Sequence, residues 1–156
     1  MPRRGARTRV GVVTLQGVRV TPLRRIAVSG GDVLHALRAT DPGYAGFGEA
    51  YFSTVRERAI KSWRRHERMT LNLVVPAGHV RFVLCDMDEI HFAVHELGPE
   101  NPTRLTVPPG VWLAFEGLAA PSSIVLNIAD LVHDPDELVR KELSEIPFDW
   151  SRSGVE

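Results

Sequence analysis

Residues Ala59 to Gly78 read AIKSWRRHERMTLNLVVPAG. Two extended runs, Ile60 to Arg64 and Thr70 to Val75, stand on either side of a polar stretch, and Pro76 and Gly78 close the second. Short apolar, β-branched runs bounded by turn residues predict strands. The same grammar continues toward both ends. Before this stretch come Val10 to Thr14, Val18 to Pro22, Arg24 to Val28, Asp32 to Leu37 and Glu49 to Val55. After it come Val80 to Cys85, Ile90 to His95, Thr103 to Val107, Val111 to Glu116 and Ser123 to Ile128. A strand about every ten residues is the rhythm of a sandwich or barrel. One helix is expected, over Pro135 to Leu143, with Asp134 as its cap and Pro135 in its first turn. The pattern predicts an all-β barrel with a short C-terminal helix.

The chain has 156 residues, enough for one domain that buries roughly two-thirds of its unfolded surface without a metal or disulfide. The expected organisation is a flexible N-terminus over 1–9, one barrel domain over 10–150 and a tail over 151–156. Acidic and basic residues balance at 19 each, which argues against a global field for nucleic acid or an anionic membrane. An anion site must then be local. The single Cys85 cannot form an internal disulfide. With no secretory or membrane-spanning apolar run in sight, a cytoplasmic location is expected.

Several segments in order carry a resemblance: FGEAYFSTVRERAIKSW, MTLNLVVPAGHVRFVLCD, VPPGVWLAF, SSIVLN and IPFDW. Together, from Val18 to Trp150, the chain resembles the dTDP-4-dehydrorhamnose 3,5-epimerase family of cupin-fold sugar-nucleotide epimerases. The resemblance implies a jelly-roll barrel with a dTDP-linked 4-keto-6-deoxy sugar in its mouth. It also implies a homodimer paired through N-terminal strands, and catalysis without metal or nicotinamide.

Carried over by position, Phe47 takes the family's aromatic, Glu49 its glutamine, Tyr51 its asparagine and Ser53 its serine. Lys61 then stands at the family arginine and Arg64 at the catalytic histidine. The nearest imidazole is His66, two residues on and therefore on the same face of a strand as Arg64. Leu113 stands where the family has a second histidine. The family tyrosine is expected near Leu126 or Asn127, and the late aspartate that orients the histidine has no clear counterpart.

Epimerisation beside a ketone needs a base near neutral pH, a cation for the enolate oxygen and an acid on the opposite face. A histidine, with a reference pKa of about 6.5, suits the base. His66 is the candidate, with Lys61 and Arg64 as cations for the enolate or the diphosphate; the alternative is that the RRHER run is a wetted turn. Tyr51 and Trp63 are candidates to stack on the base or shield the sugar, although packing alone explains many aromatics. Asn72 and Asn127 are amides in apolar strands and need partners, so both are candidates for a polar cavity. Glu49 and Arg81 complete the substrate-binding set. A metal cupin needs two or three imidazoles and a carboxylate converging on one ion; Arg64, Arg65, His66 and Leu113 do not supply them, so no metal is expected. Two readings follow: an isomerase acting on a keto-sugar nucleotide in deoxysugar and polysaccharide biosynthesis, or a cupin that binds the sugar nucleotide without epimerase activity.

Overall fold

The structure is a computed structural model that describes residues 14–151. The expected flexible start, most of the first expected strand at Val10 to Thr14 and all but the first residue of the tail lie outside the described residues. The strands are β1 Arg19–Pro22, β2 Arg25–Ile26, β3 Val33–Leu34, β4 Glu49–Arg56, β5 Ile60–His66 and β6 Leu71–Ala77. They continue with β7 Val80–Cys85, β8 Phe92–Leu97, β9 Thr103–Val107, β10 Trp112–Gly117, β11 Ser122–Ala129 and β12 Leu138–Arg140. One sheet has the order β1-β9-β6-β11-β4 and the other β12-β5-β10-β7-β8; β2 and β3 form a separate small hairpin. All their ladders are antiparallel. The two large sheets are those of a cupin-type jelly roll. Among the described residues no helix is long and apolar enough to cross a membrane.

Two apolar layers form, because the second sheet is covered on both faces. Between the sheets lie Leu71, Leu73, Phe82, Leu84, Leu105, Leu113 and Val125. Behind the second sheet, Trp63, Val83, Cys85, Trp112 and Ala114 pack under Ile146, Phe148 and Trp150 of the C-terminal segment. Burial pushes the Cys85 thiol up to about 12, with the charges of Asp86 and Glu89 adding to the effect. Since only the thiolate reacts appreciably, Cys85 is expected to ignore a thiol reagent in the folded protein at mildly alkaline pH. In denaturant it should react fully, and the reagent's absorbance with and without denaturant reads the difference.

The C-terminal segment departs from expectation. Over Pro135 to Leu143 there is no continuous helix: a single 3-10 turn, Pro135–Glu137, leads into β12, and a second follows at Leu143–Glu145. Asp134 does cap the first turn, accepting from the Asp136 N–H at 3.0 Å. The chain then straightens because β12 finds ladder partners on β5, Leu138 opposite His66 and Arg140 opposite Arg64. Pairing with an existing sheet edge satisfies more backbone groups than an isolated short helix could.

Candidate active site

A cavity of about 120 Å³ opens between the sheets. Its walls are mostly apolar, from Leu71, Leu73, Val107, Val111, Leu113, Phe115 and Val125, and its polar groups are Tyr51, Ser53, Lys61, Arg64, His66 and Asn127. Tyr51 and Ser53 come from β4 and Asn127 from β11 in one sheet; Lys61, Arg64 and His66 come from β5 in the other. Five of the nine predicted site residues therefore meet here: His66, Arg64, Lys61, Tyr51 and Asn127.

Strict alternation would place Lys61 on the face opposite Arg64 and His66. A β-bulge in β5 corrects the phase. Leu113 of β10 lies opposite Arg64, but Phe115, two residues on, lies opposite Lys61, three residues back. The extra residue turns Lys61 inward while Trp63, fully buried, enters the layer behind the sheet. The turn before β10 packs onto the same strand, its Gly110 N–H donating to the His66 carbonyl at 2.8 Å. Gly110 sits at φ 84, a conformation in which a side chain would be strained.

Four predicted residues are not among those lining the cavity. Trp63 points to the rear layer. Asn72 lies on the outer face of the first sheet, where it donates to the Gly43 carbonyl at 3.1 Å and accepts from Thr106 Oγ1 at 2.6 Å. Buried Arg104 donates to the carbonyls of Ala36 and Pro42 at 3.0 Å each, so these two residues pin the preceding loop. Arg81 lies on the outer face of the second sheet, opposite in direction to Phe82, and pairs with Glu116 at 3.1 Å and Glu96 at 3.6 Å. Glu49, at the start of β4, is half-buried beyond the cavity wall. The amide and guanidinium find their partners outside the barrel, which removes the reason for placing them in a polar cavity.

The residue that sequence reasoning missed is Glu137. Its Oε1 lies 2.5 Å from His66 Nδ1. Its Oε2 accepts backbone N–H bonds from Glu67 and Arg68 at 3.0 Å each and from Met69 at 3.3 Å. The carboxylate is only 3% exposed. Burial pushes its pKa up, but the His66 hydrogen bond and the N–H groups of Arg68 and Met69 outweigh that and hold it below its ordinary value. An ionised Glu137 accepts only, so His66 carries a proton on Nδ1, and in the neutral ring Nε2 is then the lone-pair nitrogen. Glu137 thus does what the late aspartate of the resemblance was expected to do. The one sequence signal for it was an acid just after Asp134 and Pro135 in the last turn-like segment, and a helical reading of that segment hid it.

Two further contacts complete the geometry. Asn127 Nδ2 donates to the Tyr51 hydroxyl at 2.8 Å, the two residues being direct cross-strand partners. Arg64 is held below the ordinary arginine range by burial first and by the like charge of Arg140 second, while Tyr51 acts on it in the opposite direction. The tyrosine expected near position 127 is absent there, but a phenol reaches the Asn127 amide from the neighbouring strand. Among the described residues no three His, Cys, Asp or Glu side chains are grouped to hold a metal ion.

The fold and this site define a cupin-type barrel with a histidine–carboxylate pair facing a phenol. No protein-family model matches the chain. It is 37% identical to the dTDP sugar isomerase of Desulfovibrio desulfuricans G20, with a TM-score of 0.81 over 89% of this chain and 94% of that one. It is 25% identical over 146 residues to the spore coat polysaccharide biosynthesis protein SpsL of Bacillus subtilis (strain 168), covering 88% of this chain and 97% of that protein. The dTDP-4-dehydrorhamnose 3,5-epimerase of Sulfolobus tokodaii shares the fold, with a TM-score of 0.76 at 19% identity over 88% of this chain and 83% of that one. The chain belongs to the dTDP-sugar isomerase family, the cupin-fold sugar-nucleotide isomerases and epimerases that its sequence resembles.

Proposed function

We propose that the protein is an isomerase of a dTDP-linked 4-keto-6-deoxy sugar, epimerising a carbon beside the ketone by proton transfer. The observation that carries this reading is the buried Glu137 fixed on His66 Nδ1 at 2.5 Å, which leaves a basic nitrogen at the cavity wall. His66 Nε2 takes the proton from the carbon, the C–H electrons pass into an enolate, and the cations Lys61 and Arg64 stabilise its oxygen. Tyr51, on the opposite sheet, returns a proton from its hydroxyl to the other face of the ring. Asn127 holds that hydroxyl in place. The sugar loses one proton and regains one, and the imidazolium and phenolate left behind are reset by proton exchange with solvent, so neither redox nor net hydrolysis is involved.

The polysaccharide role of the Bacillus relative supports a place in surface-sugar biosynthesis; a cytoplasmic setting belongs to the same proposal. A homodimer is supported by β4, whose outer edge is unpaired among the described residues and which carries Phe52 at 70% exposure. Such an edge is normally covered. Binding without chemistry is the reading favoured by Arg64 and Leu113, where the resemblance places histidines; the His66–Glu137 pair favours chemistry.

The test is wash-in of solvent deuterium into a dTDP-4-keto-6-deoxy sugar, followed by NMR. Wild type is expected to exchange the proton beside the ketone and to form the inverted sugar. Tyr51→Phe is expected to keep exchange on the His66 face while losing inversion by about a hundredfold. Nucleotide-sugar binding without any exchange by wild type would refute the isomerase and leave a binding protein.

A further inference from the structure

Between Lys61 and Arg64, strand β5 sets two residues, Ser62 and Trp63, against the single Ala114 of β10. A bulge leaves groups that the ladder does not pair, and here Lys141 meets them from the other side. Its N–H donates to the Trp63 carbonyl at 3.0 Å and its carbonyl accepts from Ser62 Oγ at 2.6 Å. One residue of the C-terminal segment thus holds both bulged positions. Its ammonium is fixed in turn, bonded to Glu89 and lying 5.0 Å from the Trp112 ring centroid. The Trp63 indole points into the rear layer, where four aromatic rings close a circle. Its centroid lies 6.3 Å from Phe92 and 6.0 Å from Trp150, and Phe148 completes the circle at 5.5 Å from Phe92 and 5.0 Å from Trp150. Such separations are those of favourable aromatic pairs. Alternation in IPFDW turns Ile146, Phe148 and Trp150 onto the sheet and leaves Pro147 and Asp149 exposed. The buried indole N–H groups of Trp63 and Trp150 have no acceptor among the described residues, so ring contact is what holds the circle.

We propose that residues 141–150 act as a clamp on β5, and that Trp150, on the face of the sheet away from the cavity, is a positioning residue for the reaction. Closing the aromatic circle on Trp63 holds the bulge in phase, which keeps Lys61 inward and keeps His66 in register with Glu137. A slip of one residue reverses the face of every side chain it passes. Trp63 behind the sheet blocks that slip, because its ring has no room in the packed core in front. Glu137 belongs to the same stretch of chain and reaches His66 only while β12 stays on β5. The clamp therefore governs both halves of the histidine–carboxylate pair, and a misplacement of about 1 Å at a reacting group costs about a hundredfold in rate. The inference rests on the isomerase reading for its rate measurement, while its effect on the His66–Glu137 bond is read without it.

Proton NMR and deuterium exchange on the full chain test it, with Trp150→Ala, Trp150→Phe, Ser62→Ala and Val94→Ala beside wild type. The Nδ1 proton that His66 gives to a buried carboxylate resonates far downfield of the amides, and its absence from His66→Ala assigns it. Trp150→Ala is expected to lose that signal and to slow exchange by about tenfold to a hundredfold at saturating dTDP-4-keto-6-deoxy sugar. Trp150→Phe keeps a ring in the circle and gives up no hydrogen bond, so it should retain both. Ser62→Ala removes one tie to Lys141 and is expected to slow exchange about tenfold. Val94 packs on the rear layer outside the circle, so Val94→Ala should lower the melting temperature and leave signal and rate as in wild type. The clamp is overturned if folded Trp150→Ala keeps the wild-type signal and rate, or if Val94→Ala loses them to the same degree. Should Trp150→Ala not fold, Ser62→Ala decides, and a wild-type signal and rate in it overturn the clamp. If wild type exchanges no deuterium, the isomerase reading falls and the Nδ1 signal alone decides the clamp: lost in Trp150→Ala and kept in Trp150→Phe, it stands; kept in both, it falls.

Discussion

His66→Ala is expected to lower the rate of deuterium exchange by a factor of about 10³, within the 10²–10⁴ range of a positioned general base. The reason is positional: among the cavity's polar groups only the His66 imidazole has a ring nitrogen that can present a lone pair. Lys61 and Arg64 are protonated donors, Asn127 is spent on Tyr51, and the phenol stands on the other wall. The substitution leaves a vacated imidazole space beside a carboxylate that keeps its backbone N–H partners. Added imidazole should therefore restore part of the exchange in His66→Ala. A variant that folds, binds dTDP and exchanges at the wild-type rate would remove His66 from the mechanism.

Glu137→Gln is expected to lower turnover by about 10²–10³ with little change in dTDP affinity, and also to destabilise the fold. A glutamine can present an N–H to His66 Nδ1, which moves the imidazole proton to Nε2 and removes the base from the cavity. The stability effect arises on the other oxygen. Three consecutive backbone N–H groups lose an anionic acceptor for a neutral one, at a cost of about 1–3 kcal/mol. The sign of the pH dependence follows from the depressed carboxyl. A group whose pKa is lower when folded stabilises the protein above its ordinary value of 4.5, and that contribution is lost as pH falls through the folded value. Denaturant melts of wild type and Glu137→Gln should thus differ most near neutral pH and converge below about 4.5. Equal stability at neutral pH would show that Glu137 is not held as an anion.

Much of the barrel was legible in the chain. Turn chemistry at Pro76 and Gly78, and at Pro108 to Gly110, marks the ends of strands whose positions match the sheets, and β7 and β9 fall on the expected residues, Val80–Cys85 and Thr103–Val107. The two-residue period alone put Arg64 and His66 on one face, and both line the cavity. Short-range backbone preference settles such things, because they depend on neighbours in sequence.

Which face looks inward does not. Every residue of β7 is buried, with the core in front, the IPFDW segment behind Val83 and Cys85, and Glu96 and Glu116 against Arg81; Arg81 therefore carries no local mark of its side, and neither does the fully buried Trp63 of β5. Lys61 joins the cavity only through a bulge defined against β10, and Glu137 reaches His66 across 71 positions because β12 adds to the edge of β5. Periodicity along one strand is a local property. Phase, facing and partnership are set by what packs against that strand from elsewhere in the chain, and those contacts exist only once the sheets have closed.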